Sequence, residues 1–233
     1  MLVLTAHPDL RHSRVNRRLH QAGAAAGSQG GARIEVRDLY ALYPDFAIDV
    51  AAEQAAAAAA DLIVWVHPIH WYAMPALMKL WLDEVFSLGW AYGPGGSALK
   101  GKDLWLVVST GAREEAYHPN GYNRHFFDAF LPPYEQTAAL CGLRFLPPLV
   151  LHGAHAAAPA ALDAHAELFG QRLLNYPAWP ELADVPPCEA CITPAQDRPP
   201  PVHDEAPAEP AWPPLHGAAP GSRQLPTASA GHA

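Results

Sequence analysis

"LIVWVHPIHWYAMPALMKLWLDEVF" (residues 62–86) decides the fold class. Its first five residues form an unbroken apolar run, the pattern of a strand buried on both faces of a parallel sheet. A His-Pro pair ends the run, and Pro75 then stands in the first turn of an apolar helix, where its missing N–H does no harm. A buried strand that hands over to a helix is half of a β-α-β unit. Between the two halves lie His70, Trp71 and Tyr72, which either plug the top of the core or form a platform for something flat.

The same alternation extends in both directions. "LVLTA" (2–6) is a short apolar strand ended by His7-Pro8, and Ser13 caps a helical stretch that runs to about Gly27. "RIEVRDL" (33–39) alternates as a strand, and the alanine-rich 51–60 is helical by propensity. "DLWLVVSTG" (103–111) is a further strand. A helix from the 120s to Cys141 is expected to be perturbed by Pro132-Pro133. "RFLPPLVLHG" (144–153) is the last strand and 159–175 the last helix. Five strands alternating with helices predict an α/β fold, a parallel sheet with right-handed crossovers. After Tyr176 the composition shifts: 14 of the 25 prolines lie in 177–233. That stretch reads as a disordered Pro/Ala-rich tail behind a domain spanning 1–176.

The chain of 233 residues carries a formal net charge of −8, which argues against a nucleic-acid surface. Arg11, Arg14, Arg17 and Arg18 nevertheless crowd one short stretch, where a local anion site could sit. No apolar run is long enough to span a bilayer, and "MLVLTAHPDLRHS" reads as a strand start, not a signal peptide. The expected compartment is the cytoplasm. Cys141, Cys188 and Cys191 do not make a disulfide framework, and the C-x-x-C at 188–191 has no second pair. Histidines 7, 67, 70, 152 and 155 stand at strand ends without carboxylates or thiols at ligand spacing, so no metal is expected.

In an open parallel sheet, ligands bind beyond the carboxyl ends of the strands. "AHPDLRHSRVN" puts a serine and free helix N–H groups at such an end, a ready anion site. It lacks the glycines of a Walker loop or a G-x-G-x-x-G turn, which disfavours a nucleotide-triphosphate or dinucleotide fold. "PIHWY" offers aromatic faces and backbone donors for a conjugated ring. Ser109-Thr110-Gly111 are small enough to let such a ring approach the backbone.

Taken together, "AHP…S…N", "HPIHWYAMPALMKLWLDEVF", "GWAYG", "STG…EEAY…GYNR" and "LYPDFAIDVAAEQAA" resemble the flavodoxin-like NAD(P)H:quinone oxidoreductases over about residues 1–175. Within these they are most similar to the bacterial ancillary oxidoreductases of the glutathione-regulated Kef potassium-efflux system. The resemblance implies a flavodoxin-like three-layer sandwich with sheet order 2-1-3-4-5, FMN (FAD being the alternative), NAD(P)H as co-substrate and a homodimer. It assigns the flavin phosphate to His7 and the turn Ser13, Arg14, Val15, Asn16. It assigns the ring to Ile69, His70, Trp71 and Tyr72 and to Ser109, Thr110, Gly111 and Ala112, where Ala112 replaces a usual glycine and is expected to narrow the approach. Tyr117 and Asn123 match catalytic positions, with asparagine where relatives carry histidine and His125 two places on. Leu77, Leu80, Trp81 and Phe86 match a helix at the dimer interface. The implied activity is two-electron hydride transfer from NAD(P)H to a quinone in ping-pong order. A place at the inner face of the membrane, activating a potassium-efflux antiporter, is also implied. The rival reading is a non-catalytic regulatory subunit of such a transporter; a one-electron flavodoxin is disfavoured by "HPDLRHS" after the first strand.

Overall fold

Strand β3 (Leu62–Pro68) lies at the centre of a five-stranded parallel sheet, flanked by β1 (Leu2–Thr5) and β4 (Asp103–Ser109). The outer strands are β2 (Glu35–Asp38) and β5 (Arg144–Leu151), giving the order β2-β1-β3-β4-β5. The computed structural model describes residues 1–29, 31, 33–183 and 185. Every residue of β1 and β4, and all of β3 but Pro68, is buried, as unbroken apolar runs require when helices cover both faces. Strand β5 tolerates Pro147 and Pro148 because it is an edge strand, and its register against β4 slips between Trp105 and Val107.

Helices α1 (Asn16–Ser28) and α6 (Pro159–Asn175) share one face, where Val3, Val64, Val107, Leu19 and Phe169 make the core. On the other face lie α2 (Leu39–Leu42), α3 (Val50–Ala59), α4 (Ala76–Val85) and α5 (Pro132–Leu140), over a core of Leu4, Ile63, Trp65, Trp81 and Leu106. Glu53 of α3, fully buried, ties this layer together. It accepts hydrogen bonds from Arg37 Nη1 (2.6 Å), Tyr43 Oη (2.6 Å) and Trp81 Nε1 (2.8 Å).

Three expectations need correction. Pro132 and Pro133 do not perturb a longer helix; they occupy the first turn of α5, and a separate 3-10 turn (Phe127–Phe130) precedes them. Leu77 and Trp81 of α4 are fully buried and Phe86 nearly so, with Leu80 packed against them, so the apolar excess of this helix is core and not a free interface. The ordered chain also continues past Tyr176. Trp179 is buried and packs edge-on against Trp105 (4.7 Å between centroids), Leu182 joins the same cluster, and Arg172 pairs with Glu181. The remainder of the expected tail, 186–233, lies outside the described residues.

Candidate active site

At the carboxyl ends of β1, β3 and β4, beside the switch in strand order between β1 and β3, lies a cavity of about 420 Å³. Its walls are His7, Asp9, His12 and Ser13–Asn16 after β1, Pro68, Ile69 and His70 at β3, Ser109–Gly111 at β4, and Ala154 and His155 after β5. Ten of the assigned residues therefore converge there: His7, Ser13, Arg14, Val15, Asn16, Ile69, His70, Ser109, Thr110 and Gly111.

The floor is polar and built. Ser13 Oγ accepts from the Asn16 backbone N–H (3.0 Å), which holds the start of α1 against the loop, although α1 begins after Val15 and not at Ser13. Asn16 Nδ2 reaches Ser109 Oγ (3.3 Å) and so links α1 to the end of β4. Asn16 is buried, and its Oδ1 has no hydrogen-bond partner. A buried carbonyl left unpaired is costly, and next to a cavity it calls for a donor from a ligand. His7 Nδ1 accepts from the Asp9 N–H (3.0 Å), so in the neutral ring Nε2 carries the proton. Burial, and then the neighbouring His70 (ring centroids 6.4 Å apart), hold His7 below the usual histidine range.

Arg14 lines the cavity, but its guanidinium is committed elsewhere. Nη1 donates to the carbonyls of Ala154 (3.1 Å) and His155 (2.6 Å), and Nη2 donates to that of Ala157 (2.8 Å). It straps the loop after β5 onto the loop after β1, and contributes positive field to the cavity more than direct hydrogen bonds. Arg17 and Arg18 are likewise engaged, with Arg11 O and with Asp163 and Arg14 O, so much of the basic cluster serves the scaffold.

The loop after β3 departs from the flat-platform reading. His70 and Ala73 exchange both backbone hydrogen bonds (2.9 and 3.1 Å), and Trp71 and Tyr72 between them have φ of 50° and 63°. Two left-handed residues at the tip of a tight turn are normally Asn-Gly; placing aromatics there stores strain of order 1–3 kcal/mol each, of a kind that gathers at functional sites. The turn brings Ile69 and His70 to the cavity and throws Trp71 out, 94 % exposed, so Trp71 neither walls the cavity nor plugs the core. Tyr72 stacks on Phe130 (5.0 Å) and donates to Asn123 Oδ1 (3.3 Å), leaving the buried Asn123 Nδ2 unpaired. Asn123 is thus a partner of Tyr72. Tyr117 is buried against Phe127, Phe130 and His152. The Ala112 methyl packs toward the core and the residue does not line the cavity, so it does not narrow a ring's approach.

Sequence reasoning missed Asp9, His12, Pro68, Ala154 and His155 as lining residues. "LHGAH" was visible as a strand end, but its place over β4 depends on the Arg14 strap and on backbone hydrogen bonds from Gly153 and Ala154 to the carbonyls of Ala112 (2.8 Å) and Thr110 (2.9 Å). There the His155 Nε2 lies 3.1 Å from where a Cβ on Gly111 would stand, so a side chain at 111 would have to push that imidazole aside. Among the described residues no three His, Cys, Asp or Glu side chains converge as a metal site, and no helix is long and apolar enough to cross a membrane.

The family model described as flavodoxin-like fold matches residues 1–173. The glutathione-regulated potassium-efflux system ancillary protein KefF of Klebsiella aerogenes is 45 % identical over 177 residues, covering 76 % of this chain and 96 % of that protein. Among solved structures, general stress protein 14 of Treponema denticola in complex with FMN is 37 % identical, with a TM-score of 0.69 over 75 % of this chain and 97 % of that one. A structure named as a thermophilic tryptophan halogenase from Streptomycin violaceusniger is 40 % identical, with a TM-score of 0.69 over 75 % and 98 %. The NADPH-quinone reductase of P. pentosaceus is 27 % identical, with a TM-score of 0.61 over 73 % and 95 %.

Proposed function

This chain belongs to the flavodoxin-like fold family, and on that premise we propose that it is an FMN-dependent NAD(P)H:quinone oxidoreductase that also serves as the ancillary subunit of a potassium-efflux system. The observation that carries the reading is a cavity of about 420 Å³ lined by Asn16, whose buried Oδ1 is unpaired, and walled at β4 by Ser109-Thr110-Gly111. A flavin fits that donor set: its ribityl hydroxyls and phosphate need short polar side chains and helix N–H groups, and its ring needs a backbone without bulk. The FMN complex of the Treponema denticola relative supports FMN over FAD.

When bound, FMN supplies the hydride chemistry, accepting two electrons from NAD(P)H and delivering them to a quinone. The protein's own part is binding and electrostatics. Ser13 and Asn16 with the first turn of α1 would hold the phosphate and ribityl chain, and His7 and the Arg14 field would balance their charge. Ile69, His70 and Ser109–Gly111 would hold the ring, with the strained 70–73 turn fixing the first two. Donor and acceptor would use the cavity in turn, in ping-pong order. Exposed Trp71, Leu88, Tyr122 and Phe126 support a homodimer in which a second copy covers them. The likeness to KefF, over nearly that protein's whole length, supports the transporter role.

The test is NAD(P)H oxidation by FMN-loaded protein with and without a soluble quinone. Quinone-dependent turnover with parallel double-reciprocal plots is expected. FMN binding without quinone-dependent turnover would leave the regulatory role as the better reading.

A further inference from the structure

His152, the residue after β5, connects the candidate active site to a second opening. Thr110 Oγ1 lies 2.7 Å from the Ala112 carbonyl oxygen and 3.0 Å from His152 Nδ1. A hydroxyl has one proton and a carbonyl can only accept, so Thr110 donates to Ala112 and must accept from an Nδ1–H. That contact sets the tautomer and leaves Nε2 as the nitrogen that titrates. The rings of Tyr117 and Phe127 pack on the same imidazole at 5.3 and 5.2 Å. His152 also lines an open cleft of about 280 Å³, formed with Arg113, Glu114, Glu115, Gly153, Ala156 and Ala157. One imidazole therefore holds a hydroxyl of the active-site wall and borders a solvent cleft bearing two carboxylates.

We propose that His152 is a positioning residue of the site, whose Nδ1–H fixes the Thr110 hydroxyl and whose proton exchange with the acidic cleft sets the charge beside Tyr117. The inference rests on the reading of the cavity as the active site. The ionisable groups around it are Glu114 and Glu115, which favour the imidazolium, with Arg113 across the cleft and Tyr117 on the ring face. Burial outweighs the two acids and holds His152 below its ordinary value of 6.5. The ring is thus neutral at neutral pH and gains its charge only below the ordinary histidine range, placing a cation where an anionic acceptor or product would be stabilised.

The experiment is NMR titration of folded protein carrying ring-labelled histidine and tyrosine, beside the pH profile of quinone reduction. The His152 ring should titrate below about pH 6.5, with the Tyr117 signal following the same midpoint. In His152→Gln, whose amide can still donate to Thr110, the Tyr117 midpoint should vanish and the acid limb of the kcat profile should flatten. A Tyr117 midpoint that survives His152→Gln, or a His152 ring that does not titrate, overturns the proposal. If His152→Gln fails to fold, the exposed pair Glu114→Gln/Glu115→Gln must lower both midpoints together, and unmoved midpoints are equally fatal. The NMR readout needs no turnover, so uncoupled midpoints, which overturn this proposal, are told apart from an inactive protein, which overturns the reductase reading.

Discussion

His67 shows what a single buried imidazole does to this fold. Its Nδ1 donates to the Pro68 carbonyl (3.0 Å), its ring stacks on Tyr134 (5.9 Å), and its Nε2 has no partner. Burial outweighs the Pro68 carbonyl, the one contact that favours the imidazolium, and pushes the ring down from 6.5 to about 4. The unfolded chain then binds a proton that the folded chain refuses. The stabilisation is fully present above pH 6.5 and is lost as pH falls toward 4. The expected loss across that window is about 3 kcal/mol. Urea melts of wild type and His67→Asn at several pH values check it, because the difference between the two slopes isolates His67 from His7, His152 and His165, which are also held low by burial. Parallel stability curves for the two proteins would contradict it. The histidine was legible in "WVHP" as the end of a buried run. Its neighbour Trp71 misled, because apolar character says nothing of a turn whose left-handed backbone points an indole outward.

At the scale of elements, strands and helices could be read from periodicity, and the exceptions share one cause. Helix α6 spans 159–175 as the pattern indicates, and β1, β3 and β4 follow their apolar runs. What local pattern cannot show is contact at a distance: the Arg14 strap across about 140 positions, and the role of Glu53 inside a helix legible only as alanine-rich. Glu53 holds α3, α4 and β2 through two buried donors and the half-buried Arg37, so removing it strands Trp81 Nε1, Tyr43 Oη and one branch of Arg37. Glu53→Ala is expected to cost about 3 kcal/mol or more in equilibrium unfolding. A cost below about 1 kcal/mol would show that the network closes without it.

At the scale of the molecule, the order β2-β1-β3-β4-β5 brings three strand ends to one place, and this is why short motifs scattered from His7 to Gly111 form one cavity. Those motifs were readable; the contribution of the loop after β5 was not, because it depends on the strap and on backbone hydrogen bonds to Thr110 and Ala112. The boundary at Tyr176 was set by composition, while Trp179 and Leu182 are apolar residues that composition counts as tail. A chain ending at Tyr176 is therefore expected to be about 2–4 kcal/mol less stable than one ending at Val185, since it exposes Trp105 and loses two buried side chains. Equal melting of the two would mean that those contacts add nothing. The central claim, that this cavity is a flavin site, is tested most directly by titrating flavin-free protein with FMN and following fluorescence quenching, for wild type and Asn16→Leu. Wild type should saturate at one FMN per chain, and Asn16→Leu should bind on the order of tenfold or more weakly while remaining folded. A wild-type protein that does not quench FMN, or a folded Asn16→Leu that binds as tightly as wild type, would contradict it.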